Sequence, residues 1–219
     1  MPRFANNFRC LNSHCFRLVG GGLRLGLWAT TLLTVAVVAP DSAAQWRATV
    51  APANLNHLVE NAQTVVRGHV VSVAFEPHPE FSNLQTVVVT LAVSETLKGR
   101  SGPTLQFRQL NLDARDIANT GYHKADELLL FLNPVSSYGL TSPVGLEQGR
   151  FRILRDSKGN KLALNGYKNI GLFTDVANRV RSSGAVLSPR AQAMLAKTSG
   201  VVSIEALEDV VRSLIGGRP

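Results

Sequence analysis

The sequence predicts a mainly β domain: a small antiparallel, OB-like barrel or sandwich of six to seven strands, with a short helix before it and helices after it. Three observations point there. Valine- and leucine-rich segments follow one another from residue 64 to 132 with no helical pattern between them, which argues against a parallel α/β sheet. A dense run of turn formers, Asp156-Ser157-Lys158-Gly159-Asn160, joins two further strand-like segments. The last thirty or so residues carry helix start signals and a helical apolar stripe.

The elements follow in order. Between Pro52 and Ala62, residues Leu55, Leu58, Val59 and Ala62 recur at the spacing of one helix face, and Asn54 is placed to cap the start. Thr64 to Phe75 is rich in β-branched valine, which suits a pleated surface. Gln85 to Leu97 alternates: Val87, Val89, Leu91 and Val93 share one face, Thr86, Thr90 and Ser94 the other, and Lys98-Gly99 ends the strand. Thr104–Leu110 and Glu127–Leu132 read as strands, the latter stopped by Asn133-Pro134. Tyr138 to Leu146 reads as a further strand, broken near Pro143. In the hairpin Arg150 to Asn165, a turn centred on Lys158-Gly159 sets Ile153 opposite Leu164, Arg155 opposite Leu162 and Asp156 opposite Lys161. Ser188-Pro189 opens a helix that runs to about Lys197, with Gly200 as its stop. A final helix starts at Ser203 and carries Ile204, Leu207, Val211 and Leu214 on one face.

The N-terminus reads as an export signal. Arg3, Arg9, Arg17 and Arg24 precede an uncharged run from Leu25 to Pro40, and Ser42-Ala43-Ala44 supplies small residues for cleavage. The run is shorter than the roughly 20 apolar residues a spanning helix needs, which favours cleavage over a retained anchor. The expected layout is a signal peptide over 1–44 and a single β-barrel domain over 45–219 with a helical extension at about 186–215. The protein is then secreted or periplasmic and carries no transmembrane span after cleavage. Cys10 and Cys15 both leave with the signal, so stability must come from a packed core. Losing four arginines and Asp41 takes the formal charge from +8 to +5, too modest to imply specific nucleic-acid binding.

Several segments resemble a loose family of uncharacterised exported bacterial proteins. They are Leu58 to Val70 ("L…A…VV.G.V"), Val87 to Lys98-Gly99 ("V…V…LKG"), Glu127 to Leu132 ("E.LLFL") and Gly149-Arg150-Phe151 ("GRF"). The order of elements is similar to the netrin and tissue-inhibitor type of OB-like barrel. That resemblance implies a fold and no chemistry. The inhibitors reach a catalytic metal through an N-terminal cysteine, and this chain has none after Cys15.

Chemical motifs are sparse. His57 with Glu60, His123 with Asp126, and His78-Pro79-Glu80 are loose pairs without a third ligand, so no metal or other cofactor is expected. There is no G-x-S-x-G elbow and no phosphate-binding loop. Tyr122-His123-Lys124-Ala125-Asp126-Glu127 reads as a polar turn before a strand, and Arg67 and His69 as the solvent face of another. The informative feature is the charge of the hairpin. Arg150, Arg152, Arg155, Lys158, Lys161 and Lys168 stand against Asp156 alone, which equals the surplus of the whole chain after cleavage. The resulting expectation is an exported, non-enzymatic binding or interaction module that meets an anionic polysaccharide or lipid headgroup through Arg150, Arg152, Lys158 and Lys161. Two other readings stand beside it. One is an inhibitor or accessory protein that engages another exported protein through loops 77–83 and 111–124. The other is a hydrolase built on His123 with a carboxylate and a hydroxyl.

Overall fold

A computed structural model describes residues 52–111 and 120–216. The expected signal peptide, its expected cleavage site at Ala44 and most of loop 111–124 lie outside the described residues. The described part is mainly β, with seven antiparallel strands in one sheet and four α-helices. The strands are β1 (Thr64–Pro77), β2 (Gln85–Lys98), β3 (Thr104–Leu110), β4 (Glu127–Leu132), β5 (Arg150–Arg155), β6 (Lys161–Asn165) and β7 (Val202–Ser203). The helices are α1 (Leu55–Asn61), α2 (Val176–Ser182), α3 (Pro189–Leu195) and α4 (Ile204–Gly216). The strand order is β3-β2-β1-β4-β5-β6-β7, so the expected barrel or sandwich takes the form of an unclosed sheet with β3 and β7 at its edges.

The sheet is buried on both faces at its centre, which is why β4 reads as the unbroken apolar run Leu128 to Leu132. Leu129 and Phe131 join Val65, Phe151 and Ala163 under the helices, against Leu58 of α1, Val176 of α2, Met194 of α3 and Leu207 of α4. Leu128, Leu130 and Leu132 point the other way and pack with Val66, Val87, Val89, Leu91, Phe107 and Tyr122. The sheet curls around this second core. The loop after β4 reaches back to β3, where the Thr141 N–H donates to the Arg108 carbonyl at 2.8 Å.

Local chemistry accounts for the ends of elements. The Asn54 side chain accepts from the His57 N–H at 2.9 Å and caps α1. The other end of α1 is held from β2, because the Lys98 ammonium donates to the Val59 carbonyl at 2.5 Å and to the Ala62 carbonyl. Ser188 caps α3 through the Ala191 N–H, with Pro189 at the first helical position.

Two sequence expectations are corrected, and one helix is added. Tyr138 to Leu146 forms no strand; Leu140 and Pro143 make isolated bridges and Leu146–Gln148 a single 3-10 turn. α2 has no counterpart in the sequence reading. It spans seven residues, and Asp175 before it sits at φ 61° with no side-chain cap. The hairpin register also moves by one, as described next.

Candidate binding surface

The β5–β6 turn is built by Asp156. Its Oδ1 accepts from the Lys158 and Asn160 N–H groups at 2.8 and 2.9 Å, and its Oδ2 from the Asn160 side-chain amide at 2.8 Å. Those donors, the Asn160 side chain foremost, hold the Asp156 carboxyl below its ordinary range. Gly159 takes φ 81°, a left-handed conformation that adds one residue to the turn. The pairs are therefore Phe151–Asn165, Ile153–Ala163 and Arg155–Lys161. Ala163, rather than Leu164, faces the helix-side core with Phe151. Asp156 is paired across the turn with Asn160 and not with Lys161.

The four basic residues singled out from the sequence occupy three different settings. Arg150 is buried, 7% exposed. It donates to the Thr120 carbonyl at 2.9 Å and to Glu147, and its guanidinium carbon lies 4.5 Å from the centre of the Tyr122 ring. Gly121 permits this: at φ 74°, a Cβ there would fall 1.7 Å from Arg150 Nη2. Burial pushes the Tyr122 hydroxyl up to about 12, although the Arg150 charge pulls the other way. Arg152 is half exposed and reaches Asp126 at 3.3 Å. Lys161 lies on the opposite face from these two and meets Glu127 at 2.6 Å. Lys158 stands exposed in the turn. Among the described residues, no carboxylate lies within 4.0 Å of Lys158 or Arg155, whereas Arg150, Arg152 and Lys161 each have one.

His69 is exposed, as the strand pattern suggested, whereas Arg67 on the same face is partly buried beside α4 in a charge network. Arg67 sits 3.0 Å from Glu95, 3.2 Å from Glu208 and 4.0 Å from Glu127, while His69 lies 3.7 Å from Glu127 and Arg212 binds Glu95. Burial raises the Glu208 carboxyl above its ordinary range, with Arg67 opposing.

Beside the hairpin turn a cleft of about 350 Å³ opens between Asp156 and Asn160, α3 and the start of α4. Leu162, Ala193, Met194 and Ala206 give it an apolar lining, and Arg190, Lys197, Ser203 and Glu205 a polar one. Arg190 and Lys197 are exposed, and no carboxylate among the described residues lies within 4.0 Å of either. Lys197 spends one donor on the Val201 carbonyl at 2.9 Å. Although burial pushes the Glu205 carboxyl up, the Ser203 hydroxyl, its own N–H and the Arg190 charge together bring it below its ordinary range. Sequence reasoning missed Arg190 and Lys197. Arg190 lies in the first turn of α3 and Lys197 just past its end, and their place beside the β5–β6 turn depends on tertiary packing.

The loose histidine pairs resolve differently. His78 is buried; its Nδ1 accepts from the Glu80 N–H at 3.1 Å, so its Nε2–H donates to the Tyr138 carbonyl at 2.8 Å. Both ring nitrogens are thereby used. His123 Nδ1 lies 3.2 Å from Asp126 on the surface, and Asp126 is shared with Arg152. Among the described residues no three His, Cys, Asp or Glu side chains converge on a metal position, and no helix is long and apolar enough to cross a membrane. Comparisons of the chain with protein-family models, with curated proteins and with solved structures give no match.

Proposed function

We propose that this chain is an exported, non-enzymatic binding module that holds an anionic ligand in the cleft between the β5–β6 turn and α3. The observation that carries the reading is the pair Arg190 and Lys197, two exposed cations with no carboxylate within 4.0 Å among the described residues, set around an apolar lining. Apolar walls with a few convergent polar groups are the ordinary make-up of a ligand site. Lys158 and Arg155 extend the positive field along the turn. The polar residues would orient an acidic group, and the apolar lining would take the body of the ligand. The basic N-terminus, apolar run and small-residue site support export.

The purified protein should bind a sulfated polysaccharide in a salt-sensitive way, and reversing both cleft cations (Arg190→Glu with Lys197→Glu) should weaken it at least tenfold. Vesicles containing phosphatidylglycerol form the second arm, which separates a polymer from a lipid headgroup. Retention on both supports that ignores salt and the double reversal would reject the cleft. N-terminal sequencing of the exported protein should start at Gln45.

A further inference from the structure

β1 runs well past its last partner on one side. β4 pairs with Thr64 to His69, and Val70 still exchanges hydrogen bonds with Ala125 and Asp126 at 2.8 and 2.9 Å. From Val71 to Pro77, β2 on the inner side is the one strand of the described residues that pairs with β1. The hydrogen-bonding parity of this stretch is fixed by the ribbon's end, where the His78 N–H donates to the Leu84 carbonyl at 2.8 Å. Bonded pairs recur every second residue in an antiparallel ladder, so Ser72, Ala74 and Glu76 turn their backbone groups toward β2. Val73 and Phe75 turn theirs outward. The same stretch exposes apolar side chains, with Val71 47% and Phe75 41% accessible. Among the described residues nothing bonds these outward backbone groups, and donors and acceptors left open beside exposed apolar side chains form a template for another strand.

We infer that the occupant is a second copy of this chain, pairing β1 with β1 antiparallel about a two-fold axis at Ala74. The residues favour this register. Val73 falls opposite Phe75 of the other copy, and each such pair can exchange both backbone bonds. Ser72 falls opposite Glu76, so no like charges meet, and Ala74, the smallest side chain of the stretch, faces itself on the axis. The defects coincide: Pro77, which has no N–H to give, falls opposite Val71, where the β1–β2 register is already irregular. A one-strand interface is small, so the dimer forms and dissociates with concentration.

Ala74 is exposed, so charge can be placed on the axis without disturbing the core. Sedimentation of the purified protein should show a mass rising with concentration from one chain toward two. Ala74→Glu and Ala74→Arg should each weaken association at least tenfold, and an equal mixture of the two variants should restore it. A wild-type protein that stays monomeric over the whole concentration range would overturn the inference, as would association that survives in both single variants.

Discussion

The stem and the surroundings of the tip of the β5–β6 hairpin carry the same residue types and put them to different uses. On the stem, Arg150, Arg152 and Lys161 each meet a carboxylate, and Arg150 is sealed against Tyr122 as well. Around the tip, Lys158, Arg155, Arg190 of α3 and Lys197 just beyond that helix meet none within 4.0 Å among the described residues. A count of positive charge along the sequence weighs these groups equally. The fold does not, because a cation already held by a carboxylate has less charge left for a ligand, whereas an exposed cation without one keeps its charge available.

The largest expected effect falls on the buried member. Arg150→Ala should destabilise the fold by about 3 kcal/mol, because the Thr120 carbonyl and the Tyr122 ring lose their partner. Denaturant unfolding checks this, and a loss below about 1 kcal/mol would put Arg150 among the surface charges.

Tyr122 beneath it gives the next effect. Its hydroxyl ionises near pH 10 when unfolded but only at about 12 when folded. The unfolded state therefore gives up the proton first, and stability falls as pH rises from 10 to 12, by roughly 2–3 kcal/mol. Tyr122→Phe should remove that slope; an unchanged slope would assign it to another group.

The charge network under α4 should respond in the other pH direction. Because burial raises the Glu208 carboxyl, the folded state takes up this proton before the unfolded state does. Wild type should therefore gain stability relative to Glu208→Gln as pH falls from 7 toward the ordinary glutamate range. Parallel unfolding midpoints for the two proteins across that interval would contradict the direction.

Arg152→Ala should cost less than about 1 kcal/mol, since its pair with Asp126 is half exposed. Thermal unfolding would show it, and a larger loss would make Arg152 a second structural cation.

The elements that depend on local pattern were legible in the sequence. β3 and β4 fall on their expected bounds, and α1 carries the expected Asn54 cap. What depends on a single backbone conformation was less so. The left-handed Gly159 shifted the hairpin register by one and exchanged Leu164 for Ala163 in the core. What depends on distant partners was not legible at all. Lys161 meets Glu127, 34 residues earlier, and Arg67 meets Glu208 on the last helix. The partners that separate stem cations from tip cations are set by sheet order and by the docking of α3 and α4. Helix α2 escaped notice because two buried apolar residues over seven positions, with no capping side chain, make too short a pattern.

The most direct test compares salt-dependent binding to a sulfated polysaccharide for three proteins: wild type, the Arg190→Glu and Lys197→Glu double variant, and Arg152→Glu. The cleft variant should lose at least tenfold in affinity and flatten the salt dependence, with its unfolding midpoint unchanged, while Arg152→Glu should stay within a few-fold of wild type. Equal losses in both variants, or a larger loss from Arg152→Glu, would contradict the division between stem and tip.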